Sequence, residues 1–81
     1  MNRTDEQKAT DYTNMGSSVT VINNLIAGDV SVIGDMTEAQ RKEKVKRNYT
    51  SLEVVKVYDD WGDEDMTAVT NAIAAGKAFT G

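Results

Sequence analysis

Residues 37–76 read TEAQRKEKVKRNYTSLEVVKVYDDWGDEDMTAVTNAIAAG, and two helices can be derived from this stretch alone. Thr37 and Gln40 have the spacing of a capping box, in which the side chain of each residue bonds to the backbone of the other. The apolar residues that follow lie on one helical face: Val45, Tyr49, Leu52 and Val55, widened by Val54 and Tyr58. We therefore predict a helix that begins after Thr37 and ends near Trp61-Gly62.

A second, shorter helix is predicted after this break. Gly62 or Asp63 can cap it, and acidic residues just after the cap suit the positive end of a helix dipole. Gly76 is a natural residue to end it, with Phe79 folding back over the end. The two helices should form a hairpin whose core comprises Val45, Tyr49, Leu52, Val55, Trp61, Val69, Ile73 and Phe79.

The N-terminal half supports two interpretations. Thr4 and Gln7 form another capping box, and an apolar stripe at helical spacing leads to Gly28, which favours one helix from Asp5 to Ala27. Alternatively, Gly16-Ser17-Ser18 is a loop, and VTVI-NN-LIAG and Val30–Ile33 form short strands. The β-branched composition of residues 19–33 favours this second interpretation. We expect a helix over about 5–14, followed by irregular or short-stranded structure to Asp35.

The predicted fold is mainly α: a small helical domain with a C-terminal helical hairpin and short strands within residues 18–33. An N-terminal segment, 1–36, and a hairpin module, 37–81, make up one domain, and the composition changes from strand-like to helical at Gly34-Asp35. A chain of 81 residues buries a small core, and without cysteine it gains nothing from disulfides. Self-association or docking on another protein would supply the missing burial, so we expect a homo-oligomer or a part of an assembly.

Charge is unevenly distributed along a chain whose net charge is −4. Residues 41–47 contain a basic block: Arg41, Lys42, Lys44, Lys46 and Arg47. Residues 59–65 contain an acidic one: Asp59, Asp60, Asp63, Glu64 and Asp65. The overall acidity argues against nucleic-acid binding, and the basic block is typical of a solvated helix surface. The basic block of one copy could instead meet the acidic block of another and set the register of an assembly.

Trp61 has two interpretations, as a core anchor between the helices or as an interface hot spot. From the exposed aromatic positions and the two charge blocks, we expect interaction residues at Trp61, Tyr58, Arg41, Lys44, Arg47, Asp63 and Asp65. No other class of site is predicted. The acidic stretch DDWGDED fails the EF-hand register, because its glycine comes at position 4 when the loop starts at Asp59.

Catalysis, cofactor binding and membrane insertion are not expected. The chain contains neither histidine nor cysteine, which removes the commonest catalytic bases and nucleophiles. Phosphate-binding glycine motifs are lacking as well. No apolar run approaches the length of a membrane span, and MNRTDEQK lacks the apolar core of a secretory signal.

Residues 46–81 contain a series of short motifs. They are Arg47-Asn48, Leu52-Glu53, Asp60-Trp61, Asp65-Met66-Thr67, Ala72-Ile73, Gly76, Phe79 and Gly81. In this pattern the segment resembles the C-terminal part of small uncharacterised proteins encoded by tailed phages, although Gly62 stands where a capping Thr or Ser is expected. The resemblance implies a viral origin rather than a mechanism. It leads us to expect a non-enzymatic virion component or assembly accessory, located in the host cytoplasm or the virion. The alternative is a small regulator that inhibits a host protein through its acidic face.

Overall fold

The computed structural model describes residues 3–81, which form four helices. They are α1 (Asp5–Ala27), α2 (Val30–Ile33), α3 (Glu38–Lys56) and α4 (Thr67–Thr80). Helices α1, α3 and α4 all pack on one another, while the one-turn α2 lies between the first two of them in the chain. The expected mainly α fold is confirmed.

Helix α1 is continuous, so the expected break after residue 14 and the short strands within residues 18–33 are wrong. Its capping box forms as predicted, with the Gln7 amide donating to Thr4 Oγ1 at 3.1 Å. Gly28 ends it in a left-handed conformation with φ 75°. The β-branched residues in this stretch have only a weak preference against helix, a few tenths of a kcal/mol each. Ile22 and Leu25 are fully buried, and each such burial contributes about 1.5–3 kcal/mol, so packing decides the structure.

The polar stretch around Gly16 also stays helical. The Thr13 hydroxyl donates to the Ala9 carbonyl at 3.0 Å, and the Thr20 hydroxyl donates to the Gly16 carbonyl at 3.1 Å. Hydroxyls that could have supported a loop therefore bond back to the helix that carries them.

Val30–Ile33 forms α2 rather than the predicted strand. The Asp29 carboxylate accepts a hydrogen bond from the Ser31 amide at 3.0 Å and caps this turn. No strand in residues 3–81 is available to pair with this segment, so its backbone groups bond locally instead.

Helix α3 begins with the predicted capping box, in which the Gln40 amide donates to Thr37 Oγ1 at 3.1 Å. It ends at Lys56, however, and not near Trp61-Gly62. The chain turns back at this point, because the Tyr58 amide and the Trp61 indole both donate to the Val55 carbonyl, at 3.2 Å and 3.0 Å.

Helix α4 begins and ends later than predicted. Neither Gly62 nor Asp63 caps it; instead the Asp65 carboxylate accepts from the Thr67 amide at 2.9 Å. Gly76 lies inside the helix, buried against α3, and does not end it. Phe79 belongs to the last turn, so the predicted fold-back is wrong as well.

The core combines the predicted hairpin with α1. All the residues expected to form the hairpin core belong to it, either buried or partly buried: Val45, Tyr49, Leu52, Val55, Trp61, Val69, Ile73 and Phe79. Helix α1 adds Met15, Ile22 and Leu25, so the hydrophobic cluster includes residues from both sides of Gly34-Asp35. Helices α1 and α3 are antiparallel, as contacts at their ends show: Arg3 meets Asp60 at one end, and Arg41 meets Leu25 at the other.

Candidate functional site

Trp61 fixes the loop that joins α3 to α4, residues 57–66. Its side chain is buried, and its indole is held by the bond to the end of α3. The ring lies 6.0 Å from that of Tyr12 in α1, centroid to centroid, and the Tyr12 hydroxyl donates to the Asp65 carbonyl at 2.8 Å. The core interpretation of Trp61 is confirmed, and the loop is attached to α1 at two points.

Arg3, just before α1, contacts the same loop. Its guanidinium donates from Nε to Asp60 Oδ2 at 3.0 Å and from Nη2 to Asp60 Oδ1, a bidentate pair. Nη1 donates to Asp11 Oδ2 at 2.6 Å. The same guanidinium lies over the ring of Tyr58 at 4.3 Å and over that of Trp61 at 4.4 Å. We call the four residues that surround it, Asp11, Tyr58, Asp60 and Trp61, the Arg3 cage.

The cage is electrostatically matched to a cation. The hydrogen bonds that Asp60 accepts from Arg3 hold the pKa of Asp60 below its ordinary value. The bonds that Arg3 donates to Asp60 and Asp11 raise the pKa of Arg3. Planar guanidinium groups combine bidentate carboxylate binding with stacking on aromatic rings, which an ammonium group cannot do. The arrangement is therefore specific to arginine rather than to positive charge in general.

Exposed carboxylates surround the cage at this end of the molecule. The acidic end consists of Asp5, Glu6, Asp59, Asp63 and Glu64, all of which are exposed. Asp63 thus lies where the sequence placed it, on an accessible surface. Asp65 is exposed too, but its carboxylate accepts a hydrogen bond from the amide of Thr67, the first residue of α4, and its bonds to Thr67 lower its pKa.

Arg41, predicted as an interaction residue, lies at the opposite end and is engaged within the fold. Its Nη2 and Nε donate to the Leu25 carbonyl at 2.6 Å and 3.2 Å, and its guanidinium lies 5.1 Å from the Phe79 ring centroid. A cation at the C-terminus of α1 also complements the helix dipole. Arg41 therefore connects α1, α3 and α4 instead of extending the basic surface.

The rest of the basic block lies on the outer surface of α3. Lys42 pairs with Glu38 at 3.5 Å, and Arg47 pairs with Glu43 at 3.0 Å, both across one helical turn. Lys44 and Lys46 are exposed. A groove between α3 and the end of α4 is lined by Lys42, Glu43, Lys46, Arg47, Ser51 and Thr80. We call this the basic groove; Lys44 lines a separate, neighbouring groove with Arg47.

Two residues that were expected to widen the apolar face of α3 are exposed instead. Val54 is 57% exposed and Tyr58 is 47% exposed, and Val57 beside them is 77% exposed. Tyr58 nevertheless contacts Arg3, so it and Trp61 are the predicted residues that the structure brings together. Arg41, Lys44 and Arg47 lie on α3, away from that pair.

Arg3 and Asp11 were missed as site residues, and Asp60 was noted only as part of the acidic block. Arg3 and Asp60 are 57 positions apart in the chain, and no local pattern links them. The only available signal was the cluster of Tyr58, Asp60 and Trp61, which presents two rings and a carboxylate within four consecutive positions.

Comparisons with known proteins provide no further assignment: no family model, no curated protein and no solved structure matches the chain. Within residues 3–81, no cluster of three or more acidic side chains is placed to hold a metal ion. Nor does any helix in this range have both the length and the apolar character needed to cross a membrane.

Proposed function

We propose that this chain is a non-enzymatic phage protein, either a minor virion component or an assembly accessory, that works by self-association or by docking on a larger viral protein. The resemblance of residues 46–81 to small tailed-phage proteins supports the viral origin. The separation of charge on the folded surface supports the mode of action.

The observation that carries the proposal is the pair of complementary surfaces on one molecule. The basic groove presents Lys42, Lys46 and Arg47 on the side of α3, whereas the acidic end presents exposed carboxylates around the α3–α4 loop. Two such surfaces at different places allow a head-to-tail contact between copies, which closes into a ring or extends as a filament. The small core favours such self-association, since contact between copies adds burial that the single chain lacks.

Light scattering on a sizing column, over a dilution series and at two salt concentrations, tests self-association. We expect an oligomer that weakens at high salt, because exposed charges are screened beyond about 10 Å at 0.1 M ionic strength. The double variant Lys46→Glu/Arg47→Glu should be monomeric. The control Lys56→Glu/Lys77→Glu, which has the same net charge and changes neither surface, should remain associated.

A mixing experiment tests whether the two surfaces meet each other. Asp63→Lys/Glu64→Lys should be monomeric alone, and its mixture with Lys46→Glu/Arg47→Glu should associate again, since the reversed charges are complementary. A protein that is monomeric under every condition would contradict self-association. Its absence from purified virions, together with normal particle assembly after deletion of its gene, would contradict the viral structural role.

A second candidate function is a regulator that binds and inhibits a host protein. The acidic end favours it, because five exposed carboxylates near one loop could occupy a basic cleft on another protein. The time of expression distinguishes the two functions. Late expression with the structural genes favours the virion or assembly role, and early expression favours the regulator.

A further inference from the structure

Arg3 occupies its cage without being part of the helix that follows it. Helix α1 begins at Asp5, and its capping box uses Thr4 and Gln7. Arg3 precedes all three residues, so moving its side chain away breaks no bond of the capping box. The guanidinium is thus held by the cage residues and can leave while α1 remains intact.

Part of the cage is held in place by contacts that do not involve Arg3. Trp61 is fixed by the Val55 carbonyl and by Tyr12, and Asp11 belongs to α1. The Trp61 ring and the α1 position of Asp11 therefore persist when the cation leaves, and the backbone of Tyr58 is held by its bond to the Val55 carbonyl. A partly preformed site of this kind binds with a reduced ordering cost.

A groove of about 400 Å³ continues from the cage along α1. Its lining includes Asp5, Lys8, Tyr12, Thr13, Trp61 and Glu64. Trp61 belongs to both the groove and the cage, so an extended segment in the groove can direct a side chain into the cage. The acidic end around it attracts cationic segments.

From these contacts we infer that the Arg3 cage is a binding site for the guanidinium of an arginine on a partner protein, and that Arg3 occupies this site in cis until the partner's arginine replaces it. The inference rests on the proposed function only in that the chain acts by binding proteins. The partner is defined by its chemistry: an extended segment carrying an arginine. Lysine is a poor substitute, because it cannot form the bidentate pair with Asp60.

Removing Arg3 makes the site accessible to a small probe. In Arg3→Ala, N-acetyl-arginine amide should produce a saturable change in the fluorescence of Trp61, the single tryptophan of the chain. N-acetyl-citrulline amide, which has the same shape without the charge, is the matched control and should produce no saturation. Wild-type protein should bind the arginine probe at least tenfold more weakly, because the tethered Arg3 competes at a high effective concentration.

The double variant Arg3→Ala/Asp60→Asn identifies the site. A charged hydrogen-bonded pair is worth enough to change affinity by about tenfold or more, so the arginine probe should bind this variant at least that much more weakly. If Arg3→Ala does not fold, the arginine probe should restore its helical circular dichroism, and the citrulline probe should not.

Two results would overturn the inference. One is a folded Arg3→Ala protein that responds equally to the arginine and citrulline probes, and the other is an unfolded one that neither probe restores. Equal binding of the arginine probe with and without Asp60 would also do so. Because the probe is a small molecule, these results do not depend on whether the chain self-associates, which the light-scattering experiment decides separately.

Discussion

Gly76 in α4 faces Tyr49 in α3 so closely that a Cβ on Gly76 would lie 2.9 Å from Tyr49 Cδ2 and 3.2 Å from Val45 Cγ1. Val45 is fully buried and Tyr49 Cβ lies within 3.4 Å as well, so an added methyl group would have to displace these side chains or the helix that carries them. Gly76 therefore sets the separation of α3 and α4. A glycine inside a helix costs backbone entropy, and here the close packing of the two helices offsets that cost.

Gly76→Ala should therefore destabilise the protein, although alanine favours helices. Overpacking of a filled core costs about 1–3 kcal/mol. The gain in helix propensity from glycine to alanine is about 1 kcal/mol at most. Urea unfolding should show a net loss of up to about 2 kcal/mol. An unchanged or increased free energy of unfolding would mean that α3 and α4 can separate at little cost.

Gly16→Ala is the matched substitution with the opposite sign. Gly16 also lies inside a helix, α1, but it is exposed, and a Cβ there meets nothing within 4 Å. We expect an increase in the free energy of unfolding of about 0.5–1 kcal/mol, measured under the same urea conditions. A loss at this position would indicate a contact on the α1 surface that the isolated chain does not form.

These two glycines show what could be predicted from sequence and what could not. The capping boxes at Thr4 and Thr37 are local, because each is complete within four residues, and both form as predicted. Gly76 has the same local signature as a helix end. It lies inside α4 instead, where the lack of a side chain allows the close approach of Tyr49, which lies 27 positions earlier in the chain.

The same distinction between local patterns and distant contacts explains which features of the N-terminal half and of the candidate site could be predicted. The composition of residues 19–33 favours strands, but the burial of Ile22 and Leu25 against other helices stabilises the continuous helix α1 instead. Tyr58 and Trp61 were recognisable as aromatic residues beside an acidic loop. Their contact with Arg3 was not, because it depends on α1 and α3 being antiparallel.

Because Arg3 pairs with Asp60, we expect the free energy of unfolding to decrease at acid pH. Because the folded pKa of Asp60 is below its unfolded value, near 4, the pair stabilises the fold above that pH. This contribution is lost as the pH falls through the depressed folded pKa. The raised pKa of Arg3 has no effect here, since arginine remains protonated throughout this range.

Urea unfolding of wild type and Asp60→Asn between pH 7 and pH 2.5 measures this dependence. The wild type should be more stable than Asp60→Asn at neutral pH, and the difference should shrink as the pH falls and Asp60 becomes protonated. Asp59→Asn, at the exposed neighbouring position, should follow the wild type across the range. A difference between wild type and Asp60→Asn that does not vary with pH would show that ionisation of Asp60 does not contribute.

Trp61→Phe separates the ring of Trp61 from its hydrogen bond. Phenylalanine retains an aromatic face for Arg3 but removes the N–H that donates to the Val55 carbonyl at 3.0 Å. The lost hydrogen bond and the smaller ring together should cost about 1–3 kcal/mol in unfolding free energy. Amide hydrogen exchange should accelerate most in residues 57–66, because this bond joins the loop to the end of α3.

The control is Val54→Ala, at an exposed position in α3, which should change stability by less than about 0.5 kcal/mol. If exchange accelerated uniformly over the chain, Trp61 would act through global stability alone and not as the local anchor of the cage.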